Sequence, residues 1–317
     1  MRVLVTGGAG FIGATACRVL SAHPAIDRVV ALDNLSTGYA ANLDGVRARL
    51  VTGSILDRDL LGALVADSDA VVHLAARPSV PRSLADPVAT HEANATGTMY
   101  VLEACRAAGT YLVGASSSSV YGSVPDLPKH EDLATRPLSP YAASKLAAEA
   151  ALLAYQSAFA VPTLALRFFN VYGPMQSVGH AYAAVVPTFI DAALRGVPLP
   201  VHGSGAQSRD FTFVGTVAQV LLQAVLRRVT STTPVNLAFG NRVSLVDLIA
   251  QLGALTDRPV QAEHLPPRTG DVHDSQADCS RLRALFPAVQ PVPLAEGLRL
   301  TVDWYRALLA ADRTGPA

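Results

Sequence analysis

A tyrosine and a lysine four residues apart could carry proton-transfer chemistry. Tyr141 and Lys145 lie in the segment SPYAASK, residues 139–145, where Pro140 suits the first turn of a helix and the alanines favour its continuation. This spacing puts both side chains on one helix face. Because an ammonium beside a phenol favours the phenolate, the pair could lower the tyrosine pKa from about 10 toward working pH. Such pairs also occur on ordinary helices, so the assignment needs support from elsewhere.

A run of serines gives that support. Residues 115–122 read ASSSSVYG, so four hydroxyls from Ser116 to Ser119 follow an apolar segment that is typical of a strand. In sheets of parallel strands, ligands bind at the carboxyl ends of the strands. A serine-rich surface linker is the alternative, but it would not be expected between a core strand and the helix of Tyr141. The serines therefore predict a polar site facing that helix.

A glycine-rich turn and an acidic residue predict a dinucleotide site. Residues 6–13, TGGAGFIG, follow the first strand and open the first helix, where glycines let the backbone approach a pyrophosphate at the helix N-terminus. A tight structural turn can use the same residues. Asp33, twenty residues after Gly13, ends the second strand, where a carboxylate accepts hydrogen bonds from ribose hydroxyls and repels a 2′-phosphate. No arginine stands beside Asp33, so the sequence favours NAD over NADP.

Short apolar runs alternate with helix-patterned segments through the first half of the chain, which predicts an α/β, Rossmann-type doubly wound parallel sheet. The predicted strands are Arg2–Thr6, Arg28–Asp33, Ala48–Thr52, Ala70–Leu74, Thr110–Ala115 and Thr163–Phe168. The predicted helices are Phe11–Ala22, Val88–Ala108, Pro140–Ala160, the later part of Phe211–Arg228, Ser244–Leu252 and Leu294–Leu309. Glycines and prolines interrupt the pattern after Asn170, as in a smaller α/β substrate-binding domain.

The expected domains follow from this pattern. Residues 1–168 and 211–237 form the cofactor domain, residues 169–210 and 238–309 form the substrate domain, and residues 310–317 are a frayed tail.

Composition excludes several classes of function. The 317 residues are 50% hydrophobic, and 25 basic side chains balance 25 acidic ones, so no net field attracts nucleic acid or an anionic membrane. The N-terminus lacks a signal-peptide pattern and no apolar run reaches the roughly 18 residues of a membrane span, so a cytoplasmic protein is expected. Cys17, Cys105 and Cys279 lack ligand spacing, which predicts buried thiols and no metal site.

Six motifs together resemble the extended short-chain dehydrogenase/reductase family, in particular its nucleotide-sugar epimerases and dehydratases. They are the glycine turn, Asp33, HLAA at residues 73–76, the serine run, the Tyr141/Lys145 pair and RFFN at residues 167–170. The resemblance extends from Met1 to about Tyr305, in the family's order and spacing. It implies NAD as cofactor and a homodimer formed through the helix of Tyr141 and its neighbour near Val88–Ala108.

The resemblance also implies roles for individual residues. Ser117 and Tyr141 share the substrate's 4-hydroxyl, Lys145 also holds the nicotinamide ribose, Asn94 supports Lys145 and the cofactor, and the positive nicotinamide ring helps to lower the tyrosine pKa. The implied cofactor-binding residues are Gly7, Gly10, Phe11, Ile12, Gly13, Asp33, Asn34, Ser54, Ile55, Leu74, Ala75, Ala76, Asn94, Tyr141, Lys145 and Phe168.

Two adjacent serines indicate which member of the family this is. Dehydratases usually carry an acidic residue just before Val-Tyr-Gly, but this chain has Ser118 and Ser119 there. Oxidation at carbon 4 and re-reduction on the opposite face is then the simplest chemistry, which is 4-epimerisation. A dehydratase, a UDP-glucuronate 4-epimerase and a non-catalytic NAD sensor on the same fold are the alternatives.

The substrate segments resemble the UDP-N-acetylglucosamine 4-epimerase branch. The implied substrate residues are Ser79, Ser117, Ser118, Asn170, Gln176, Ala184, Val185, Pro200, His202, Arg209, Arg268, Asp271 and Ser275. Arg209 and Arg268 would each bind the UDP diphosphate through two parallel hydrogen bonds, with Asn170 as a further donor. Pro200 and His202 would flank uracil.

The same resemblance bears on the sugar's 2-position. Ser79, Gln176 and Ala184 would surround it, and Ser275 would be a small gate that admits an N-acetyl group. UDP-N-acetylglucosamine and UDP-N-acetylgalactosamine are therefore the expected pair, with UDP-glucose and UDP-galactose also accepted. The family's Gly-Asp at the adenine pocket is Gly53-Ser54 here, which is expected to weaken the hold on adenine.

Overall fold

The central sheet has seven strands, all parallel. A computed structural model describes residues 1–178, 184–256, 260–266 and 274–314, without the side chains after residue 310. In spatial order the strands are Val235–Leu237 (β11), Thr163–Phe168 (β6), Tyr111–Ser117 (β5), Ala70–His73 (β4), Arg2–Thr6 (β1), Arg28–Asp33 (β2) and Ala48–Thr52 (β3). The strand order reverses between β1 and β4, and a ligand crevice forms at such a switch point. The predicted fold class is confirmed.

Helices cover both faces of this sheet because alternate strand residues are apolar on each side. One face packs against Phe11–Ala22 (α1) and Val214–Arg227 (α8), with Val5, Leu20 and Leu221 in its core. The other face packs against Arg58–Ala66 (α2), Gly97–Ala108 (α5) and Pro140–Phe159 (α6), with Leu102 and Leu152 in its core.

A separate apolar core lies among the later elements. It is formed mainly by Val185–Arg195 (α7), Leu199–His202 (β8), Leu245–Thr256 (α9) and Leu294–Thr314 (α11). Three two-stranded sheets accompany it, pairing β8 with Ala262–Leu265 (β13), Val171–Tyr172 (β7) with Thr212–Phe213 (β10), and Ser208–Arg209 (β9) with Val243–Ser244 (β12). The domain boundaries stay a prediction, which this second core supports.

Several element boundaries differ from the sequence-based ones. The segment expected as one helix over Val88–Ala108 contains Pro87–His91 (α4), a π-turn at Glu92–Thr96 and then α5, and it is preceded by Val80–Ala85 (α3). The wider π-turn buries Asn94. The side-chain oxygen of Asn94 accepts a hydrogen bond from the backbone N–H of Arg77, and this tertiary contact interrupts the regular helix.

Other differences lie at the ends of elements. Helix α2 and strand β11 were not predicted, and Ser280–Leu285 (α10) was also missed. Strand β4 ends at His73 rather than Leu74, and β5 continues to Ser117, so two of the serines belong to the strand. Helix α11 continues to Thr314, so the predicted tail begins inside it.

The cysteines are free thiols. Cys17 and Cys105 are buried as predicted, and burial raises the pKa of each thiol to about 12. Cys279 is only half-buried and accepts a hydrogen bond from Nε of Arg283 at 3.2 Å. No helix in the described part of the chain is long and apolar enough to cross a membrane.

Candidate active site

A cavity of about 1050 Å³ lies where β1, β2, β5 and β6 end. It brings together most of the sequence-predicted site residues: Gly7, Gly10, Phe11, Ile12, Gly13, Asp33, Asn34, Ser54, Ile55, Leu74, Ala75, Ala76, Ser79, Ser117, Ser118, Tyr141, Lys145, Phe168, Asn170, Gln176 and Ala184. The predicted cofactor and reacting groups therefore share one crevice at the carboxyl edge of the sheet.

The glycine turn leaves no room for side chains. Gly7 has φ +70°, and a Cβ there would be 2.7 Å from the backbone nitrogen of Ala75. A Cβ on Gly13 would be 2.0 Å from the carbonyl oxygen of Gly7. Gly10 precedes α1 without a side-chain cap, and no acidic residue occupies the first helical turn. The first amides of α1 are thus available to an anionic diphosphate.

Asp33 is held by the backbone of the same region. Its Oδ2 accepts from the Ala9 N–H at 2.9 Å and its Oδ1 accepts from the Leu35 N–H at 2.8 Å. Each carboxylate oxygen can still accept a ribose hydroxyl, because an ionised carboxylate offers about four acceptor sites. Together with the glycine turn, these groups fit NAD, and the negative charge disfavours a 2′-phosphate.

The reacting side chains meet where β5 ends beside α6. Ser117 Oγ accepts from the N–H of Ser119 at 3.2 Å and from its hydroxyl at 2.9 Å, so its own proton can be donated. Ser117 and Tyr141 both line the cavity at this point, and the Ser117 hydroxyl acts to lower the pKa of Tyr141. Lys145 is buried, and its Nζ donates to the carbonyl oxygen of Ala115 at 2.9 Å.

The electrostatics of this pair differ from the sequence-based expectation. Burial raises the pKa of Tyr141, and the Ser117 hydroxyl opposes that rise. Burial also lowers the pKa of Lys145 to about 8, which weakens its effect as a positive charge. Among the protein's own groups, burial outweighs the influence that lowers the Tyr141 pKa, and the expected lowering by Lys145 together with the positive nicotinamide ring stays a prediction.

Buried polar side chains of Thr6, His73 and Thr98 form hydrogen bonds behind the cavity wall. Nδ1 of His73 lies 2.7 Å from the Thr6 hydroxyl and its Nε2 lies 3.0 Å from the Thr98 hydroxyl, which donates to the carbonyl oxygen of Asn94. The Thr98 proton is thereby used, so His73 donates from Nε2 and accepts at Nδ1. Burial and the Lys145 charge lower the pKa of His73 to about 3.

Asn94 is buried behind the residues that line the cavity and does not line it itself. Its Oδ1 accepts from the Arg77 N–H at 2.7 Å, and its Nδ2 donates to the Ser144 hydroxyl at 2.9 Å. Asn94 thus holds the backbone of Arg77 and the hydroxyl of Ser144, the residue before Lys145, and its expected support of Lys145 and the cofactor stays a prediction.

Two more buried groups carry no role in the sequence-based interpretation. Glu149, four residues after Lys145, pairs with Arg167 of the RFFN motif, and the helical spacing could have indicated it. Asp210 is fully buried, and its Oδ2 accepts from the N–H groups of Gly240 and Ala277 at 3.1 and 3.0 Å. Burial raises its pKa to about 6. The burial of Asp210 could not be predicted from its neighbours, because Gly240 and Ala277 are distant from it in the sequence.

The predicted substrate residues fall into two groups. Asn170 and Gln176 line the cavity, with Nδ2 of Asn170 donating to the Asp210 carbonyl at 3.3 Å. Nε2 of Gln176 donates to the Val171 carbonyl at 3.2 Å, and its Oε1 is buried without a hydrogen-bond partner among the described residues.

The second group does not line the cavity. It comprises Val185 on α7, Pro200 and His202 on β8, Arg209 on β9, and Ser275. Ser275 lies beside β9, because its N–H donates to the Ser208 carbonyl at 3.1 Å. Arg268 and Asp271 lie outside the described residues, so their roles stay predictions.

Known proteins resemble the whole chain. The model of the NAD dependent epimerase/dehydratase family matches residues 3–238. A UDP-glucose 4-epimerase of Mycolicibacterium smegmatis is 37% identical over 96% of this chain and 99% of its own.

Solved structures agree with this match. The UDP-N-acetylglucosamine 4-epimerase of Methanobrevibacter ruminantium, solved with UDP-N-acetylmuramic acid, has a TM-score of 0.91 at 33% identity, covering 97% of this chain and 98% of its own. The UDP-glucose 4-epimerase of Thermus thermophilus, solved with NAD, has a TM-score of 0.86 at 35% identity, covering 96% and 99%.

Proposed function

The chain belongs to the NAD dependent epimerase/dehydratase family, and from that premise we propose that it interconverts UDP-N-acetylglucosamine and UDP-N-acetylgalactosamine, with UDP-glucose and UDP-galactose also accepted. Membership confirms the resemblance inferred from the motifs, and NAD is the cofactor. The proposal concerns the reaction and the sugar.

The make-up of the cavity wall carries the choice of reaction. Asp33, at the cofactor end, is the single acidic side chain among the described residues that line the cavity. Elimination of water needs an added acid or base beside the sugar, whereas the groups next to Tyr141 are the hydroxyls of Ser117 and Ser118. This wall supports oxidation and re-reduction at one carbon, hence epimerisation.

The chain's own residues then have separate tasks. Tyr141 accepts the proton of the 4-hydroxyl and later returns it, while Ser117 shares that hydroxyl and holds it in line. Lys145 holds the ribose next to the reacting carbon. NAD, held by the glycine turn and Asp33, would supply the hydride acceptor and donor for carbon 4 and a positive charge beside Tyr141. Asn170 lines the cavity and is the proposed donor to the diphosphate while the sugar turns; the roles of Arg209, which lies outside the cavity wall, and of Arg268 in holding it stay predictions from the resemblance.

An unpartnered acceptor supports the N-acetyl assignment. Oε1 of Gln176 is buried and lacks a hydrogen-bond partner among the described residues, although Gln176 lines the cavity. A buried acceptor left unpaired costs about 1–3 kcal/mol, so a turn of the Gln176 side chain that brings Oε1 into the cavity to meet an amide N–H of a substrate is favourable. Ser79 and Ala184 are small side chains in the same wall. The acetamido group offers the required N–H, and a 2-hydroxyl is a weaker substitute of smaller size.

A homodimer is the proposed assembly. The outer face of α6 exposes small side chains at helical spacing, namely Ala143, Ala147, Ala150 and Ala154. Phe159 on the same helix is 53% exposed and Met99 on α5 is 39% exposed. Such a face allows a second helix to approach closely and bury apolar surface. Light scattering should give twice the chain mass for the wild type and one chain mass for Ala150→Glu; a monomeric wild type would contradict the dimer.

UDP-glucuronate is the second candidate substrate. Arg77 and Arg82 line the cavity, and Nη1 of Arg77 lies 3.2 Å from Oδ2 of Asp86. The Arg82 guanidinium could pair with a carboxylate on the sugar.

A substrate screen tests the proposal. The purified protein should be incubated with UDP-N-acetylglucosamine, UDP-glucose and UDP-glucuronate, and the products analysed by proton NMR and mass spectrometry. The proposal predicts epimers of unchanged mass from the first two compounds and faster conversion of the acetylated one. Conversion of UDP-glucuronate alone would favour the second candidate, and loss of water from any substrate would identify a dehydratase.

A further inference from the structure

Three side chains on one side of α6 face the end of β5. Tyr141, Lys145 and Glu149 follow each other at intervals of four residues. Lys145 binds the carbonyl oxygen of Ala115, and Oε2 of Glu149 accepts from the hydroxyl of Ser116 at 2.6 Å. Two consecutive residues of β5 therefore hold two consecutive turns of α6, and the next residue of the strand is Ser117.

Arg167 on β6 fixes Glu149 from the other side. Its Nε lies 2.9 Å from Oε2 and its Nη2 lies 2.7 Å from Oε1, which makes a two-bond pair between side chains that are each 3% exposed. Its guanidinium carbon also lies 4.7 Å from the ring centroid of Tyr121, and its Nη1 donates to the Glu131 carbonyl at 3.3 Å. Contacts with Glu149, Glu131 and Tyr121 therefore fix the position of the Arg167 guanidinium.

A buried ion pair of this kind is poorly explained by stability. Removing two charges from water costs about as much as their attraction returns, so apolar side chains of the same volume would stabilise the fold equally well. A two-bond pair does give a fixed geometry, because a planar guanidinium and a carboxylate meet in one orientation. The pair fixes how α6 is rotated against β5, and that rotation sets the position of Tyr141 relative to Ser117.

We propose that Ser116, Glu149 and Arg167 form a positioning unit that holds the Tyr141 phenol at the Ser117 hydroxyl. The proposal rests on the proposed roles of Ser117 and Tyr141, while none of the three residues is assigned contact with the reacting atoms. Loss of the Ser116 hydroxyl frees one carboxylate oxygen and lets β5 and α6 shift by a fraction of an ångström. Turnover depends steeply on such shifts.

The experiment compares two buried hydroxyls, one on β5 and one on β6, that each form a hydrogen bond with a residue of α6. Ser116→Ala removes the link to Glu149, and Thr163→Val removes the contacts of Thr163 Oγ1 with the Leu152 carbonyl and the Gln156 amide, each 2.9 Å long, in the second half of α6. Both variants should lower the melting temperature by a similar few degrees. Ser116→Ala should lower kcat about tenfold with KM and NAD affinity unchanged, whereas Thr163→Val should leave all three near wild type. Equal kcat for the two variants would overturn the proposal.

A second readout does not depend on the substrate. The tyrosinate absorbance of Tyr141 is obtained as the difference between each protein and its Tyr141→Phe version across a pH titration. The Ser117 hydroxyl acts to lower the pKa of Tyr141, so Ser116→Ala should raise the titration midpoint and Thr163→Val should not. An unchanged midpoint in Ser116→Ala would contradict the proposal.

If the wild type converted no UDP-sugar, the proposed function would fail. The titration of Tyr141 would still test the positioning unit, because it needs no substrate.

Discussion

The two ends of the cavity are built in different ways. The cofactor end uses backbone amides and one carboxylate from a short stretch of chain, including Gly7, Gly13 and Asp33, and tight contacts fix each of them. The sugar end uses side chains from separate loops, such as Ser79, Gln176 and Ala184. Backbone groups suit a constant cofactor, whereas side chains on loops can change without disturbing the sheet. The difference indicates that tight backbone contacts fix the cofactor end, whereas the sugar end depends on loop side chains, which we propose choose the substrate.

The largest expected effect lies where the two ends meet. Tyr141→Phe removes the proposed base while keeping the ring's packing, so kcat should fall by about 10²–10⁴-fold while NAD remains bound. Steady-state rates and the NAD content of the purified variant measure this. A near-normal rate would show that Tyr141 is not the base.

A substitution at the predicted gate, Ser275, which lies beside β9 and outside the cavity wall, tests whether this position distinguishes the substrates. Ser275→Tyr is expected to reduce turnover of the acetylated pair by about 100-fold through steric clash and to spare the unacetylated pair. The matched control is Ser280→Tyr at an exposed position five residues on. Equal effects on both pairs, or a wild type that never accepts the acetylated pair, would remove Ser275 as a gate.

A substitution confined to the cofactor end should not separate sugars. Asp33→Ala removes the acceptor for the ribose hydroxyls, so NAD should bind about tenfold more weakly and discrimination against NADP should relax. Asp59→Ala, at an exposed position on α2, is the control. Titration of both cofactors checks this, and unchanged affinities would show that Asp33 is not at the ribose.

The smallest expected effect concerns the buried layer under the cofactor end. The pKa of His73 is lowered from 6.5 to about 3 by burial, so the unfolded chain takes up a proton that the folded one does not. Stability from this group is complete above pH 6.5 and is lost as pH falls, by about 1.4 kcal/mol per pH unit. Urea unfolding of the wild type and His73→Asn at pH 6.5 and 5.5 should show this difference in slope. Parallel pH dependences would contradict a neutral, buried His73.

Local patterns explain what could be predicted from the sequence. The glycine turn, the end of β2 at Asp33 and the helix start before Tyr141 depend on neighbouring residues, and the structure has them at the predicted positions. Strand β11 was missed because Val235–Leu237 is too short to show periodicity. The regular helix expected over Val88–Ala108 is interrupted because a tertiary hydrogen bond of Asn94 outweighs local propensity.

Contacts between distant segments explain the rest. The hydrogen bonds of Asp210 to Gly240 and Ala277 join residues 30 and 67 positions apart, and no local signal encodes them. The raised pKa of Tyr141 depends on burial, which spacing alone does not reveal. Physical reasoning about the residues reached the glycine turn and Asp33, whereas the assignments at the sugar end came from the resemblance alone and stay predictions.

The central claim is that one hydrogen leaves carbon 4 and returns to the same carbon on the other face. UDP-N-acetylglucosamine carrying deuterium at carbon 4 tests it most directly, with NMR and mass spectrometry of the product. The account predicts UDP-N-acetylgalactosamine of unchanged mass that keeps deuterium at carbon 4, with no net accumulation of NADH. Loss of the label to solvent, loss of water, or release of stoichiometric NADH would contradict it.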